Sequence, residues 1–260
     1  MERGATGFCQ GVNIAQAIRA QRLLARGKSL LDGGGLDQAI QHFSNAIGLN
    51  PDCDTAFVGR GRALNLKKQY GDAIQDLNEA VRLNPRSADA FNVRGFAYNG
   101  KKQYDRAIQD LDEAIRLNPK LTDAFNNRGY AFNGKRMYDR AIEELTEAIR
   151  LDPRFADAFN GRGFAYNGKR QYARAIQDLD EAIRLNPRFA SAFNNRGYAY
   201  IGMNEYDRAI ADLNEAIRLI PDYAGALINR GTAFRASGRL DRAAADDATA
   251  QQLAPAPPEN

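Results

Sequence analysis

Seven prolines, Pro51, Pro85, Pro119, Pro153, Pro187, Pro221 and Pro255, stand 34 residues apart with no insertion or deletion between them. A fixed period in this range means stacked supersecondary units, none able to bury its apolar face alone. With the proline at position 32, seven units run 20–53, 54–87, 88–121, 122–155, 156–189, 190–223 and 224–253. Residues 1–19 form an extension expected to be partly helical, and 254–260 a Pro-rich tail expected to be disordered. The units starting at Ala88 and Ala156 differ at only five of 34 positions.

Within a unit, ADAFNVRGFAYNG (88–100) and YDRAIQDLDEAIRLNP (104–119) each read as a helix. The second places Ala107, Ile108, Leu111, Ala114 and Ile115 on one helical stripe, where a strand would alternate. Asp105 is expected to cap this helix, and Pro119 to follow its end. Gly100 is expected to close the first helix through a left-handed backbone. Each unit is thus a helical hairpin, and the fold class is all-α.

Gly95, Tyr98, Ala107, Ala114 and Pro119 fall at positions 8, 11, 20, 27 and 32, with Phe91 at 4 and Leu111 at 24. This pattern resembles the tetratricopeptide repeat over residues 20–255. The resemblance implies a right-handed α–α superhelix of seven hairpins. It also implies a non-catalytic role in binding other proteins, and first helices that line a concave groove.

One departure from the family is systematic. Position 7, usually leucine there, is arginine in every unit: Arg26, Arg60, Arg94, Arg128, Arg162, Arg196 and Arg230. Position 23 is acidic in six, Asp76, Asp110, Glu144, Asp178, Asp212 and Asp246, and His42 in the first. A charge between helices is costly unless paired, so a ladder of internal Arg–carboxylate pairs is expected. The plainer reading lets each arginine reach water along a packed stem.

Little in the chain points to chemistry. Cys9 and Cys53 form no CxxC pair, and the lone His42 has no nucleophile in a recognisable arrangement beside it. The glycines of LDGGGLD (31–37) lack the strand and Gly-Lys-Ser/Thr ending of a phosphate loop. Asp112 with Arg116, and Asp180 with Arg184, read as i,i+4 surface pairs. No enzyme, cofactor or metal is expected. No apolar run is long enough to span a membrane, no secretory signal is visible, and a cytoplasmic location is the default expectation. In the last unit, Ala244, Asp247 and Gln251 replace the apolar residues of the central units, as a polar terminal cap would.

The first helices carry a second pattern. Steps of three and four put positions 2, 5, 9 and 12 on one stripe. Position 5 reads Asn92, Asn126, Asn160 and Asn194; position 9 reads Phe96, Tyr130, Phe164 and Tyr198; position 12 includes Asn99, Asn133 and Asn167. Asn127 and Asn195 add amides at position 6. Amides that donate and accept, beside flat aromatics, suit an extended peptide. The arrangement is similar to the asparagine ladders of some peptide-gripping members of the family. A bland reading packs the aromatics between neighbouring helices and treats the asparagines as copies left by duplication in blocks of two units. The family's clamp for chaperone tails is not supported, because position 5 is never lysine and position 9 never asparagine.

A third column is basic: Lys67 and Lys68, Lys101 and Lys102, Lys135 and Arg136, Lys169 and Arg170 line up at the hairpin turns. With a net charge of +4, these cations either aid solubility or offer an edge to an acidic protein or membrane surface, with nucleic acid the less expected anion. The leading expectation is a scaffold holding a protein or peptide segment in its groove. The alternatives are the anionic edge and a purely architectural subunit.

Overall fold

A computed structural model describes residues 14–253, and every described helix belongs to one of seven hairpins. The chain divides into two compact units, Met1–Ala131 and Phe132–Asn260. The first holds α1 (Ile14–Asp32), α2 (Leu36–Leu49), α3 (Asp54–Leu66), α4 (Tyr70–Leu83), α5 (Ala88–Gly100), α6 (Tyr104–Leu117) and most of α7 (Thr122–Gly134). The second holds α8 (Tyr138–Leu151), α9 (Ala156–Gly168), α10 (Tyr172–Leu185), α11 (Ala190–Gly202), α12 (Tyr206–Leu219), α13 (Ala224–Ala236) and α14 (Leu240–Leu253). No strand occurs among the described residues. The first helix begins at Ile14, so the extension is helical from there, while residues 1–13 and the tail from Ala254 lie outside the described residues.

Small residues set the packing distance. Ala107 and Ala114 of α6 and Ala90 and Ala97 of α5 are fully buried, as are Ala175 and Ala182 of α10. Between them Leu77, Leu111, Leu145, Leu179 and Leu213 fill the centre of successive hairpins. Position 8 has room only for glycine: a β-carbon on Gly95 would stand 2.7 Å from Leu111 Cγ, and one on Gly163 2.7 Å from Leu179 Cγ. Within each unit the first helices also touch one another, α1 to α3 to α5 and α9 to α11 to α13, and so form one continuous face.

Two local expectations are corrected. Gly100 ends α5 without a left-handed backbone; it is glycine because a β-carbon there would meet the Tyr70 ring at 2.4 Å. The left-handed residue lies two positions on, at Lys102 (φ 58°), with Gly34, Lys68, Arg136, Arg170, Asn204 and Gly238 in the equivalent places. Asp105 sits inside the first turn of α6, whose N-cap is Gln103 with no side-chain cap bond. There it faces the positive end of the helix dipole.

The first five hairpins hand over to the next through an Asx turn, and the sixth ends on Ile220 instead. The Asn118 N–H donates to Ala114 O at 2.9 Å, while Asn118 Oδ1 accepts from the Lys120 N–H at 3.1 Å across Pro119. Asn84 and Asn186 repeat the motif. At the C-terminal end α14 exposes Ala244 and Gln251, and Asp247 pairs with Arg235, so that end is polar as expected.

Candidate functional site

The first-helix face is built on the arginines of position 7. Arg94 gives Nε and Nη2 to the two carboxylate oxygens of Asp110, both at 2.7 Å. Arg60–Asp76, Arg162–Asp178, Arg196–Asp212 and Arg230–Asp246 are bidentate in the same way, between 2.6 and 2.9 Å. The ladder is present, and the solvent-reaching alternative does not describe these arginines. Two of the seven differ: Arg26 is exposed, and Arg128 does not donate its Nε in this way, so the bidentate pairs begin at Arg60.

The remaining nitrogen reaches backward to position 25 of the preceding repeat. Arg94 Nη1 donates to Asn78 Oδ1 at 2.9 Å, Arg128 to Asp112 Oδ1 at 2.6 Å, and Arg162 to Thr146 Oγ1 at 3.0 Å. Arg196 does the same to Asp180 at 2.6 Å. Arg94, Arg162 and Arg196 therefore each tie three helices together. The carboxylate partner raises the already high pKa of Arg60, Arg162 and Arg196 further, most strongly at Arg196, bonded to both Asp212 and Asp180. This corrects the i,i+4 pairs: Asp112 and Asp180 turn to the ladder. Arg116 and Arg184 bond instead to Glu113 and Glu181 three residues before them.

The asparagines divide into two kinds. Those of position 12 are staples. Asn99 Nδ2 donates to Asn127 O at 2.8 Å, Asn133 to Gly161 O at 2.9 Å, and Asn167 to Asn195 O at 2.7 Å. All three are buried, Asn99 to 6% exposure, and their Oδ1 atoms are buried with no partner among the described residues. Asn99, Asn133 and Asn167 are thus covered by the next helix, and a ligand cannot touch them without displacing it.

The alternation of Asn-Asn with Asn-Val or Asn-Gly has a structural role. Asn127 Nδ2 donates to Asn92 Oδ1 at 2.9 Å, and Asn195 Nδ2 to Asn160 Oδ1 at 2.9 Å. Asn229 likewise donates to Asn194 at 2.8 Å. A position-6 amide therefore bridges to the position-5 amide one repeat earlier. Asn92 and Asn194 are buried by this, while Asn126, Asn127, Asn160 and Asn195 stay half-buried.

The aromatics of position 9 are where the face opens. Phe96 is 41% exposed, Tyr130 61%, Phe164 44% and Tyr198 44%. Every other described aromatic ring is buried or half-buried. At the turns, Lys67 and Lys169 are paired with Asp37 and Asp139 of the preceding hairpins. Lys68, Lys102, Arg136 and Arg170 are exposed, on left-handed backbone; Lys101 and Lys135 are exposed beside them.

A cleft of about 590 Å³ at the N-terminal end of the face was not visible from the repeat pattern. Leu24 and Val58 wall it, with Lys28, Arg62 and Asp89 at its rim. Its signal was Phe43 at position 24, leucine in the five units that follow. A β-carbon on Gly59 would stand 2.5 Å from that ring.

Tetratricopeptide-repeat family profiles match residues 24–88, 88–121, 137–169, 169–204 and 190–223. The chain belongs to the tetratricopeptide-repeat family. Its fold class is the all-α hairpin solenoid of that family, whose members serve in general as interaction scaffolds. No curated protein matches the chain. Among solved structures it is similar to a tetratricopeptide repeat protein of Parabacteroides merdae (18% identity, TM-score 0.69, covering 91% of this chain and 94% of that one). It is similar also to Cut9 in the APC/C heterotetramer Cut9–Hcn1 (20%, TM-score 0.76, covering 89% and 43%). A third is YrrB, described as a TPR protein with an unusual peptide-binding site (23%, TM-score 0.51, covering 71% and 95%). At these identities the likeness is one of fold. No helix among the described residues is long and apolar enough to cross a membrane.

Proposed function

We propose that this tetratricopeptide-repeat protein is a non-catalytic scaffold whose first-helix face holds an extended segment of a partner protein. The observation that carries the reading is the exposure of Phe96, Tyr130, Phe164 and Tyr198 in a chain that covers its other described aromatics. Rings held on a rigid helix offer large contact area at low entropic cost. The half-buried amides of Asn126 and Asn160 sit one turn away on the same stripe, within reach of a passing backbone. YrrB, of the same fold, is described with a peptide-binding site, which agrees with this reading.

The test combines Asn126→Ala, Tyr130→Ala and Asn160→Ala. A partner captured on the immobilised protein, then titrated in purified form, is expected to lose binding to this variant while its helicity is retained. An unaffected partner excludes the face.

One observation favours a second reading, an anionic partner along the turns. Lys68, Lys102, Arg136 and Arg170 occupy left-handed backbone where the first and last hairpins use Gly34 and Gly238. A side chain there costs about 1 kcal/mol, and four repeats accept that cost with a cation. Binding through this edge would weaken steeply with salt. Salt-insensitive binding excludes it.

A further inference from the structure

The first hairpin departs from its successors at two positions of the repeat. Position 3 is a fully buried alanine in every later unit: Ala56, Ala90, Ala124, Ala158, Ala192 and Ala226. Ala90 shares a core with Leu77 and Ala80 of the hairpin before it, and Ala192 with Leu179 and Ala182. In the first unit that residue is Arg22, and it is exposed. Position 7 keeps the ladder arginine, yet Arg26 has no hydrogen bond or ion pair among the described residues. His42 stands where later hairpins carry the acid, and no described hairpin supplies a position-25 oxygen from behind.

The charge of this face has one sign. Helix α1 exposes Arg19, Arg22, Arg26 and Lys28 against a single carboxylate, Asp32. Lys28 and Asp32 line the cleft, which leaves the three arginines on one stripe at steps of three and four. The one acid of α2, Asp37, is bonded to Lys67. Helix α1 is also longer than α5, 19 residues against 13, and its added turns expose Ile14 and Ile18 four residues apart, with Arg22 four further on. A solenoid end needs a polar face for solubility. The last hairpin meets that need with both signs, exposing Asp241 and Arg242 and pairing Arg235 with Asp247. The first presents guanidinium groups beside isoleucines.

What meets the equivalent face elsewhere in the chain is a helix. In the first compact unit α2 packs on α3 and α4 on α5; in the second α10 packs on α11 and α12 on α13. A second copy laid head to tail does not fit that place. Position 25 of its last repeat is Ala248, with no side-chain oxygen for Arg26, and Arg22 stands where close packing uses alanine. An anionic lipid surface fits less well than a helix, because Arg26 lies in the register where ladder arginines meet side-chain oxygens of a neighbouring helix.

We propose that the outer face of α1 is a second interaction surface, which takes an acidic amphipathic helix of a partner protein. From Ile14 to Arg26 the face runs about 18 Å, or roughly three turns. Carboxylates along one side of the partner helix meet Arg19, Arg22 and Arg26, which can hold them through two nitrogens each. Apolar residues beside those acids cover Ile14 and Ile18. The inference does not depend on the aromatic face, since positions 3 and 7 lie off the stripe that carries it.

The experiment selects two random peptide libraries on the intact protein, one linear and one held helical by side-chain staples. Linear binders probe the aromatic face, and the test lies with the stapled ones. Recovered helices are expected to carry acids on one side, and Glu→Gln within them to weaken binding by about 10- to 100-fold. Arg22→Gln with Arg26→Gln is expected to weaken the same helices to a similar degree, and to remove the effect of Glu→Gln, as coupled partners do. The unbound variant is expected to keep its melting temperature. A fall as large as that of Arg94→Gln would mean that the chain itself already satisfies these arginines, and would overturn the proposal. Stapled binders indifferent to Arg22→Gln with Arg26→Gln overturn it as well. So does self-association of the protein, or binding to phosphatidylserine vesicles, that this variant abolishes while no acidic helix is recovered.

Discussion

Arg94 and Asp110, on the two helices of one hairpin, are joined by two parallel hydrogen bonds of 2.7 Å in a site that leaves the arginine side chain 15% and the aspartate side chain 10% exposed. Breaking such a pair strands a poorly hydrated charge. Asp110→Asn is expected to cost roughly 3–5 kcal/mol in urea denaturation, and Arg94→Met with Asp110→Leu to recover much of it, because an apolar pair removes both charges. A single substitution that leaves the unfolding midpoint in place would show the ladder to be incidental.

Glycine has opposite meanings at two places. Gly71 has nothing within 4 Å of its would-be β-carbon, whereas Gly100 lies under the Tyr70 ring. Gly71→Ala should stabilise helix α4 by about 0.5–1 kcal/mol. Gly100→Ala should destabilise by about 1–3 kcal/mol, and Tyr70→Leu should reduce that penalty. Equal effects of the two alanines in thermal unfolding would contradict the packing described.

Lys102 is expected to gain from becoming glycine. Its φ of 58° costs a side chain about 1 kcal/mol, partly offset by the greater unfolded-state freedom of glycine. A small rise in melting temperature for Lys102→Gly is the expected result; a fall would mean that the lysine makes a stabilising contact.

The outer helices carry a pH-dependent term. Arg82, Arg116, Arg150, Arg184 and Arg218 hydrogen-bond Glu79, Glu113, Glu147, Glu181 and Glu215 and hold those carboxyls below their ordinary pKa. A depressed pKa contributes stability that is present above the unfolded value, about 4.3, and lost as pH falls through the folded one. Replacing the five arginines by glutamine should lower stability at neutral pH, with the difference shrinking in acid. A pH-independent difference would assign the effect to packing of the arginine stems.

How far the sequence could be read depended on whether a feature is local. Proline at 32, alanine at 20 and 27 and glycine at 8 act by sterics within one hairpin, so the period alone delivered the fold. Arg94 and Asp110 recur together and could be paired on paper. The backward bond to position 25 could not be read, because Ser44, Asn78, Asp112, Thr146, Asp180 and Asn214 share only an acceptor oxygen. Asn99, Asn133 and Asn167 misled for a related reason. Helical spacing placed them on the face, but only the neighbouring repeat shows that they are covered. Gly100 was assigned a turn when its constraint came from Tyr70, thirty residues earlier.

The scaffold account is tested most directly by contact mapping. A photoreactive benzophenone side chain placed at Phe96 or Phe164, and at the exposed outer-helix positions Arg116 or Arg184 as controls, is irradiated with a library-selected peptide. The account predicts crosslinks from positions 96 and 164 and none from 116 and 184. Crosslinking from the outer helices, with none from the aromatic face, would contradict it.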